Sequence, residues 1–551
     1  MSPESPYISA CEKPLEERSL NNHRNRCSHP PAAEMAPPKK KIIFLTNSDY
    51  GQANVVLSVA HALVHKSRDV EVHIASQARL KGPTSRLVKQ LTADLGSAAV
   101  DTVKFHEVAG LSHFDSVDRP GNPMMETWLV NPNFSNVTRN MLNIAGLALP
   151  WSPEEFVEIY RDLERIWNDV KPDVTVAEAF FAPALTFCNR IKMNWIVIAP
   201  NTIKDFALPL QPKMAMLWRY PVICSSLPFP VPLHLIPFNV FYNVVAGVTV
   251  STNKRHTRVS AHLHNVIGPD IQLLTMNQLG LVKAPPQGLR LLVANSPDID
   301  FPFEVLPEFI TPCGPITRAA PAISDTTQDP EMASWLSRGP TVYMNLGTHH
   351  FFDVPLAKEV ALAFRRLFDL AKCSEPLGQG NLQVLWKMPR KTSGGDDTDS
   401  SSTDFLGPWK EIKSILSPEM DNDQIRILDW IIAEPKSVLE SGNVVLSVNH
   451  GGSNSFHEAL CTGIPQIVLP GWADCYDFAQ RAEILGIGKW ANRKAKPYWK
   501  RDEFGDSLEG VLFGPHAKMI QARAKDLSKR HPEGAGRFKA AEEILALLDG
   551  P

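Results

Sequence analysis

Closely spaced pairs of cysteines are missing from this 551-residue chain. Its eight cysteines are scattered, with no CxxC pair and no Cys/His spacing typical of a metal site. We interpret them as reduced thiols of a cytoplasmic protein. An excess of positive charge is missing too, because the formal net charge is -3. Without a basic surface, the chain is not expected to bind nucleic acid.

No secretory signal is recognisable at the start of the chain. Residues 1–39 are rich in proline, serine, asparagine and charge, and they lack the apolar core of a signal peptide. We interpret them as a disordered leader. The glycosylation sequons at Asn133 and Asn136 are then chance matches, which agrees with a cytoplasmic location.

Residues 221–253 contain no Asp, Glu, Lys or Arg. A membrane-spanning helix needs about 20 apolar residues, and prolines disrupt the backbone bonds of a helix. Because five prolines fall in this segment, we predict no transmembrane segment. We favour an apolar acceptor pocket or cap, and the alternative is peripheral contact with a membrane surface.

Neither GxGxxG nor GxxxxGK[ST] occurs at a strand end, so dinucleotide-binding and P-loop folds lose their main support. The length favours two large domains, because single cores stop growing at roughly 250 to 300 residues. We predict an N-terminal domain over 40–310, a C-terminal domain over 311–530 with a flexible loop at 391–408, and a C-terminal helix over 531–551.

Short apolar runs alternate with helical patterns in both predicted domains. Strands are predicted in KKKIIFLTN, DVEVHIAS, DVTVAE and NWIVIAP, and then in GPTVYMNLGT, NLQVLWKM, QIRILDWI, NVVLSV and PQIVLP. The proline-rich passage LLVANSPDIDFPFEVLPEFITPCGPITR is predicted to be an extended connection between the domains. This alternation predicts two open α/β domains with parallel sheets.

The densest group of polar residues follows the predicted strand NVVLSV, where a ligand of a parallel sheet should bind. Gly451 and Gly452 let a ligand come close to the backbone. Residues 453–455 begin a helix, whose free N–H groups and dipole favour negative charge. His450 can donate to a phosphate, and Glu458 lies one turn along the helix, where it can accept hydrogen bonds from a ribose.

Residues 430–474 resemble the nucleotide-sugar signature of the UDP-dependent glycosyltransferases of the GT-B fold, the family of plant secondary-product and animal glucuronosyl enzymes. The family pattern is a Trp, then H-x-G-x-N-S-x-x-E, G-[VI]-P and P-x-x-x-D-Q, and this chain is similar to a soluble, fungal-type member. The resemblance implies two Rossmann-like domains that face each other across a cleft, with the acceptor in the first domain and a UDP-sugar in the second. The matching residues are Trp430, His450, Gly452, Asn454, Ser455, Glu458, Gly463, Ile464, Pro465, Pro470 and Asp474.

The resemblance also implies roles in UDP binding. Trp430 would stack on the uracil, the backbone near Ile431 would read the edge of the base, and Glu458 would bind the ribose. Gly347 and Thr348 resemble the Gly-Ser turn that the family places beside the phosphates. The diphosphate itself would be held at the helix start by His450, Gly452, Asn454 and Ser455.

At the donor sugar, Asp474 would bind hydroxyl groups. Cys475 replaces the Gln that usually follows this Asp, so the identity of the sugar is open, with glucose as the first candidate. The signature uses the helix dipole and His450 in place of a divalent ion. We therefore expect no metal and no cofactor, with the UDP-sugar as co-substrate.

The acceptor-side loop departs from the family at its catalytic base. NSDYGQANVVLSVAHAL resembles the family's G-H-x-x-P segment, and Gln52 occupies the place of the catalytic histidine. A glutamine amide cannot accept a proton at neutral pH. The Asp partner of that histidine is matched by Glu178.

Three hypotheses for the base stay open. Glu178 reaches the acceptor itself, or Asp49 or His113 serves, or an acidic phenol needs only positioning. The histidines at 61 and 65 are interpreted as surface or packing residues.

We predict a monomeric, inverting enzyme that moves a hexose from a UDP-sugar to a hydroxyl of a small lipophilic or phenolic acceptor. One alternative is a protein of the same fold that binds UDP-sugar with little or no transfer. The other is an enzyme that acts on the sugar nucleotide itself, as epimerases do.

Overall fold

Two parallel sheets form from the apolar runs of the sequence. The computed structural model describes residues 39–119, 122–123, 127–191, 194–325, 329–348, 350–373, 381–390, 405 and 407–548. The predicted disordered leader therefore lies outside the described residues apart from residue 39, and so does most of the predicted loop at 391–408.

The first sheet comes from the N-terminal half of the chain. Its strands in the described residues are β1 (Lys40–Leu45), β2 (Val70–Ser76), β3 (Val103–Glu107), β4 (Val174–Glu178), β5 (Trp195–Ala199), β6 (Leu291–Val293) and β7 (Ile310–Pro312). They are all parallel, in the order β3-β2-β1-β4-β5-β6-β7.

The second sheet is also parallel throughout. Its strands in the described residues are β8 (Thr341–Asn345), β9 (Gln383–Lys387), β10 (Ile425–Leu428), β11 (Val444–Asn449), β12 (Gln466–Val468) and β13 (Gly488–Trp490). Their order is β10-β9-β8-β11-β12-β13. The strands predicted from the sequence are all present, and the prediction of two parallel α/β sheets is confirmed.

Helices cover both faces of the sheets. In the N-terminal half they are α1 (Tyr50–Lys66), α2 (Lys81–Leu95), α3 (His113–Val117), α4 (Phe134–Asn143), α5 (Ala145–Ala148), α6 (Pro153–Val170), α7 (Ala182–Ile191), α8 (Ile203–Ala207), α9 (Ala215–Trp218), α10 (Ile236–Ser251) and α11 (Lys254–Val266). In the C-terminal half they are α12 (Pro330–Leu336), α13 (Val354–Lys372), α14 (Lys410–Asp421), α15 (Pro435–Leu439), α16 (Ser453–Cys461), α17 (Cys475–Ile484), α18 (Arg501–Leu512), α19 (Ala517–Arg530) and α20 (Ala535–Leu545).

Strand β1 shows how a continuous apolar run forms the centre of a sheet. Successive side chains point to opposite faces, so Ile42 and Phe44 pack with α1 while Ile43 and Leu45 pack in the cluster that contains α6. All four are fully buried. Both faces of a parallel sheet are covered, which is why the run does not alternate with polar residues.

The last helix returns to the first sheet. Ala540, Ala541 and Ile544 of α20 belong to the same buried cluster as Ile42. Lys66 Nζ of α1 also lies 2.5 Å from Glu542 Oε1. Helix α20 therefore packs on the N-terminal half.

The proline-rich passage predicted as an extended connection is partly sheet, so that prediction was wrong for β6 and β7. Both strands are three residues long, which is too short for a clear pattern. Leu291, Leu292 and Val293 are nevertheless buried and extend the first sheet.

The charge-free segment 221–253 includes α10 and ends two residues beyond it. Its prolines lie before this helix or, for Pro237, in its first turn, where proline is tolerated. By length and composition, the region Leu233–Val266 qualifies as a candidate membrane span. In the structure it consists of a 3-10 turn over Leu233–Leu235, α10 and α11, with the non-helical residues Thr252 and Asn253 between the two helices.

The strand order reverses once in each sheet, between β1 and β4 and between β8 and β11. Ligands of open α/β sheets bind at such switch points, beyond the carboxyl ends of the strands. The turns at these two places begin at Thr46 and Leu346, and they are where the site should be sought.

Candidate functional site

The carboxyl ends of both sheets border one cavity of about 1930 Å³. Of the residues predicted to act in catalysis or donor binding, Glu178 does not line it. The candidates that do are Asp49, Gln52, His113, Gly347, Thr348, Trp430, Ile431, His450, Gly452, Asn454, Ser455, Glu458, Asp474 and Cys475. The structure thus brings together residues that are more than 400 positions apart in the sequence.

Two tight turns of the second sheet require glycine. Gly451 has φ +82°, and a Cβ there would lie 2.8 Å from the carbonyl oxygen of Cys475. Gly347 has φ +84°, and a Cβ would lie 2.9 Å from Cε1 of His450. Any larger residue would be strained at both positions. Glycine lets the turns after β8 and β11 pack closely at the wall of the cavity.

Helix α16 begins at the cavity. Gly452 is its N-cap, and the first helical bond is donated by Phe456 N–H to Gly452 O at 3.0 Å. The N–H groups of residues 453–455 precede that bond and have no acceptor within the helix. The hydroxyl of Ser453 donates to Pro200 O of the N-terminal half at 2.9 Å. The start of α16 can therefore bind an anion and also joins the two halves of the molecule.

Glu458 lies one turn along α16. Its burial, together with the nearby Glu434 carboxylate, raises the pKa of Glu458 to about 7. Glu434 is itself 3.5 Å from Arg318 Nη1. The Glu458 carboxyl is therefore close to its titration midpoint at neutral pH, and hydroxyl donors from a ligand would favour its ionised form.

Asp474 is the N-cap residue of α17. Burial raises the pKa of Asp474 to about 7, and the neighbouring carboxylate of Asp205 contributes in the same direction. Asp205 belongs to α8 in the N-terminal half and also lines the cavity. No functional role for Asp205 could be inferred from the sequence, because its capping box with Thr202 indicates only the start of a helix.

Lys387 is a second cavity residue that was not predicted. Its ammonium lies 4.0 Å from the centre of the Trp430 ring and donates to Gly347 O at 3.1 Å. Burial lowers the pKa of Lys387 to about 8. Trp430 itself is 61% exposed. One face of the indole is therefore covered by a cation, and the other is available for stacking.

On the acceptor side, Asp49 and His113 form a pair. Asp49 Oδ2 lies 3.3 Å from His113 Nδ1, and His113 Nε2 lies 2.8 Å from Leu147 O. Because a carbonyl can only accept, Nε2 carries a proton and Nδ1 faces the carboxylate. Within the described residues, Asp49 Oδ1 has no hydrogen-bond partner, so it is free for a ligand.

Gln52 and Glu178 have different environments. The Oε1 atom of Gln52 is buried, lacks a partner in the described part of the chain, and belongs to a residue that lines the cavity. Glu178 is fully buried, and its two oxygens accept from Asn47 Nδ2 at 2.7 Å and Phe180 N–H at 2.8 Å. Burial raises the pKa of Glu178 to about 8. The geometry does not support the hypothesis that Glu178 reaches the acceptor.

Among the described residues, one group could hold a metal ion by its geometry. The ligand atoms of His61, His65 and Asp94 lie within 4.8 Å of one another. His61 is buried on α1, which agrees with its interpretation as a packing residue, and burial lowers its pKa to about 4. It lies nine residues beyond Gln52, roughly 13 Å along the helix at 1.5 Å per residue.

Comparison with known proteins agrees with this geometry. The family model for UDP-glucoronosyl and UDP-glucosyl transferase matches residues 401–518. The glycosyltransferase sdnJ of Sordaria araneosa is 28% identical over 538 residues, which cover 94% of this chain and 99% of the relative. A UDP-glycosyltransferase of Talaromyces amestolkiae is 26% identical over 279 residues, or 49% of each chain.

Solved structures agree in fold. The structure of TcCGT1 in complex with UDP aligns with a TM-score of 0.56 at 16% identity, over 92% of this chain and 99% of that one. A UDP-glucosyltransferase from Polygonum tinctorium aligns with a TM-score of 0.55 at 15% identity, over 94% and 100%. The fold is thus GT-B.

The chain is a UDP-glycosyltransferase by its match to that family model and its similarity to curated glycosyltransferases. It is an enzyme that transfers a sugar from a UDP-sugar to an acceptor, and the family resemblance seen in the sequence is confirmed.

Proposed function

We propose that this enzyme is an inverting transferase that moves a hexose, with glucose as the first candidate, to a hydroxyl of a small lipophilic or phenolic acceptor. The observation that carries the proposal is the Asp49–His113 pair, which borders the same cavity as the start of α16. A base and an anion site facing one space are what a single displacement at the anomeric carbon needs.

In this proposal, Asp49 is the general base. His113 donates from Nε2 to Leu147 O, and its Nδ1 lies 3.3 Å from Oδ2 of Asp49, which positions the carboxylate beside the imidazole. The acceptor hydroxyl transfers its proton to Oδ1 as its oxygen forms the bond to the anomeric carbon. Gln52 Oε1 can accept from a second hydroxyl of the acceptor and so orient it.

The leaving group is UDP. As the bond from the anomeric carbon to the phosphate oxygen breaks on the opposite face, its electron pair stays on the diphosphate. The N–H groups of residues 453–455, the α16 dipole and His450 would take up this charge. Attack from the face opposite the leaving group inverts the anomeric centre.

The rest of the donor would be recognised along the same wall. Trp430 offers its open face to uracil, with the backbone near Ile431 at the edge of the base, and Glu458 accepts from the ribose. Asp474 accepts from hydroxyls of the hexose, beside Cys475. Gly347 and Thr348 lie at the phosphates.

The acceptor class is inferred from the apolar wall of the N-terminal half. Residues of this wall include Phe114, Val117, Trp128, Leu147, Phe180 and Ile223. Such a lining fits an aromatic or terpenoid body, and the polar groups converge only at Asp49, Gln52 and His113.

We also propose that the enzyme works as a cytoplasmic monomer without a metal or cofactor. Free thiols at Cys188, Cys224, Cys313, Cys373, Cys461 and Cys475 support a reducing compartment. The start of α16 supports metal-free binding of the diphosphate, because it supplies N–H donors and a positive dipole end.

The test is mass spectrometry of products formed from UDP-glucose and a mixed library of phenols and lipophilic alcohols, with UDP release measured in parallel. We expect a hexosylated product, inverted at the anomeric carbon, and UDP release only when an acceptor is present. UDP-sugar binding without any product would favour the non-catalytic alternative, and UDP release without acceptor would favour action on the sugar nucleotide itself. A chelator arm should leave the rate unchanged.

A further inference from the structure

Helix α10 presents two different sides. Its inner side carries Asn243, Ala246, Gly247 and Val250, which line the cavity. Its outer side carries Phe238, Phe241, Val244 and Val248, which are all exposed. Successive helical residues turn by about 100°, which places these four on one side of the helix.

Neighbouring helix α4 extends this exposed surface. Phe134 stacks on Phe241, with ring centres 5.3 Å apart, and its ring centre is 5.8 Å from that of Phe238. Leu142 of α4 is exposed as well. The apolar face is defined here as Phe134, Leu142, Phe238, Phe241, Val244 and Val248. Contiguous exposed apolar side chains of this kind mark an interaction surface.

The segments that carry the apolar face contain basic residues but no acidic ones. Residues 206–269 contain five Lys or Arg and no Asp or Glu, and residues 127–153 contain one Arg and no acid. Lys213, Lys254 and Arg258 are exposed and form no ion pair in the part of the chain that the structure describes. Cations that border an apolar surface match a negatively charged lipid surface, since each basic residue near such a surface adds about 1 kcal/mol of attraction.

The geometry favours a helix that lies on a membrane over one that crosses it. The 16 residues of α10 extend roughly 24 Å, short of the ~30 Å hydrocarbon core. Asn239 also ties the helix to its own domain. Its Oδ1 accepts from Val222 N–H at 2.9 Å, and its Nδ2 donates to Tyr220 O at 2.8 Å. Leaving the domain would break these buried bonds.

We propose that the apolar face docks on an anionic lipid bilayer, with α10 parallel to the membrane plane and its inner side still lining the cavity. Apolar side chains would enter the boundary between headgroups and acyl chains, and Lys213, Lys254 and Arg258 would contact lipid phosphates. The proposal concerns the surface and does not depend on which acceptor the enzyme uses.

Flotation of the purified full-length chain with vesicles tests the proposal. Vesicles of phosphatidylcholine mixed with phosphatidylserine should carry the protein at low salt, and vesicles of phosphatidylcholine alone should carry less. The double variant Val244→Asp/Val248→Asp should lower partitioning by about tenfold or more, because two apolar side chains no longer enter the lipid. The two valines are 53% and 56% exposed, so folding should tolerate the change.

The matched control is Met519→Asp, which changes a 62% exposed apolar residue on α19 in the same way. It should float like the wild type, and both variants should keep wild-type UDP affinity. A second double variant, Lys254→Glu/Arg258→Glu, should remove the preference for phosphatidylserine. Absence of flotation in the wild type, or equal flotation of the valine variant, would overturn the proposal. A wild-type dimer that the valine variant abolishes would also overturn the proposal, because the apolar face would then bind a second copy of the chain.

Discussion

Asp49 and His113 face each other at the acceptor side of the cavity, with Oδ2 of the carboxylate 3.3 Å from Nδ1 of the imidazole. The carboxylate stands on the loop after β1, and the imidazole stands on α3. The family pattern would place a histidine three residues further along, at the position of Gln52 in the first turn of α1. The pair therefore retains the two chemical groups, and in the proposed mechanism the carboxylate takes the acceptor-facing position.

Asp49→Asn should lower the transfer rate by roughly 10² to 10⁴-fold, because an amide cannot take the proton of the acceptor. Affinity for UDP-glucose, measured by calorimetry, should remain at the wild-type value, because Asp49 does not contact the donor in the proposed arrangement. Asp69→Asn is the control, since Asp69 lies at the opposite end of β1 and β2. A rate within twofold of the wild type for Asp49→Asn would exclude Asp49 as the base.

Glu178 gives a prediction on stability. Its pKa rises from an ordinary value of 4.5 to about 8 because it is buried, so the folded protein holds a proton that the unfolded chain releases. Between about pH 4.5 and 8 this group makes stability fall as pH rises. Glu178→Gln keeps the shape and stays neutral. The melting temperature of the variant should therefore decline less than that of the wild type over this range.

Measuring activity separates the effect of Glu178 on stability from a role in catalysis. Glu178→Gln should keep the transfer rate within a few-fold of the wild type, since its oxygens contact Asn47 and Phe180 and do not line the cavity. Loss of turnover on the scale expected for Asp49→Asn, with an unchanged melting temperature, would restore Glu178 as a candidate base.

Much of the donor side could be predicted from the sequence because its groups are local. The glycines, His450 and Glu458 all fall within nine residues, and a strand followed by a helix start defines their relative positions. Lys387 and Asp205 could not be predicted this way. Each reaches the cavity from a distant segment. In its own segment, Lys387 looks like the last residue of a strand, and Asp205 looks like part of a helix cap.

The acceptor side was predictable only in part. Asp49 and His113 could be named as candidates, but their pairing depends on how α3 packs against the β1 loop, which no local pattern encodes. Helix α10 raised the same difficulty. An apolar segment does not reveal that one side lines a cavity and the other is exposed.

Glu458 should make donor binding depend on pH. Ribose hydroxyls donate best to an ionised carboxylate, so affinity for UDP-glucose should rise as pH increases through about 7, the pKa of Glu458. UDP-glucose is the suitable probe because its diphosphate, esterified at both ends, has no group that titrates there. Glu458→Ala should weaken binding by about 1 to 3 kcal/mol.

Glu458→Gln serves as the companion variant for the pH dependence. It keeps Asp474 and every other titrating group, so the difference between wild type and variant isolates Glu458. Parallel affinity curves for the two proteins between pH 6 and 8, a range of about one unit on each side of the pKa, would contradict the ribose role.

Trp430 should contribute stacking energy to the uridine and little to folding. Trp430→Ala is expected to weaken UDP binding by about 1 to 3 kcal/mol, which is typical of an aromatic side chain stacked on a base. Its 61% exposure predicts an almost unchanged melting temperature. Trp218→Ala removes another exposed tryptophan, outside the cavity lining, and should leave UDP affinity unchanged. Equal affinities for the two variants would move the uracil site elsewhere.

The two halves of the molecule are joined by a buried ion pair whose removal should be costly. Lys204 follows β5 in the N-terminal half, and its Nζ lies 2.5 Å from Asp477 Oδ2 on α17. Both side chains are almost fully buried. Lys204→Met would leave Asp477 buried without its cation, near Asp474 and Asp205, which should destabilise the protein by about 3 to 5 kcal/mol.

The double variant Lys204→Met/Asp477→Leu removes both charges and should melt at a higher temperature than the single variant, because no uncompensated carboxylate remains. Lys358→Met is the matched control. Lys358 and its partner Glu411 are both exposed, and such surface pairs contribute at most about 1 kcal/mol. If Lys204→Met melted at the same temperature as Lys358→Met, Lys204 would not be the buried cation that holds the two halves together.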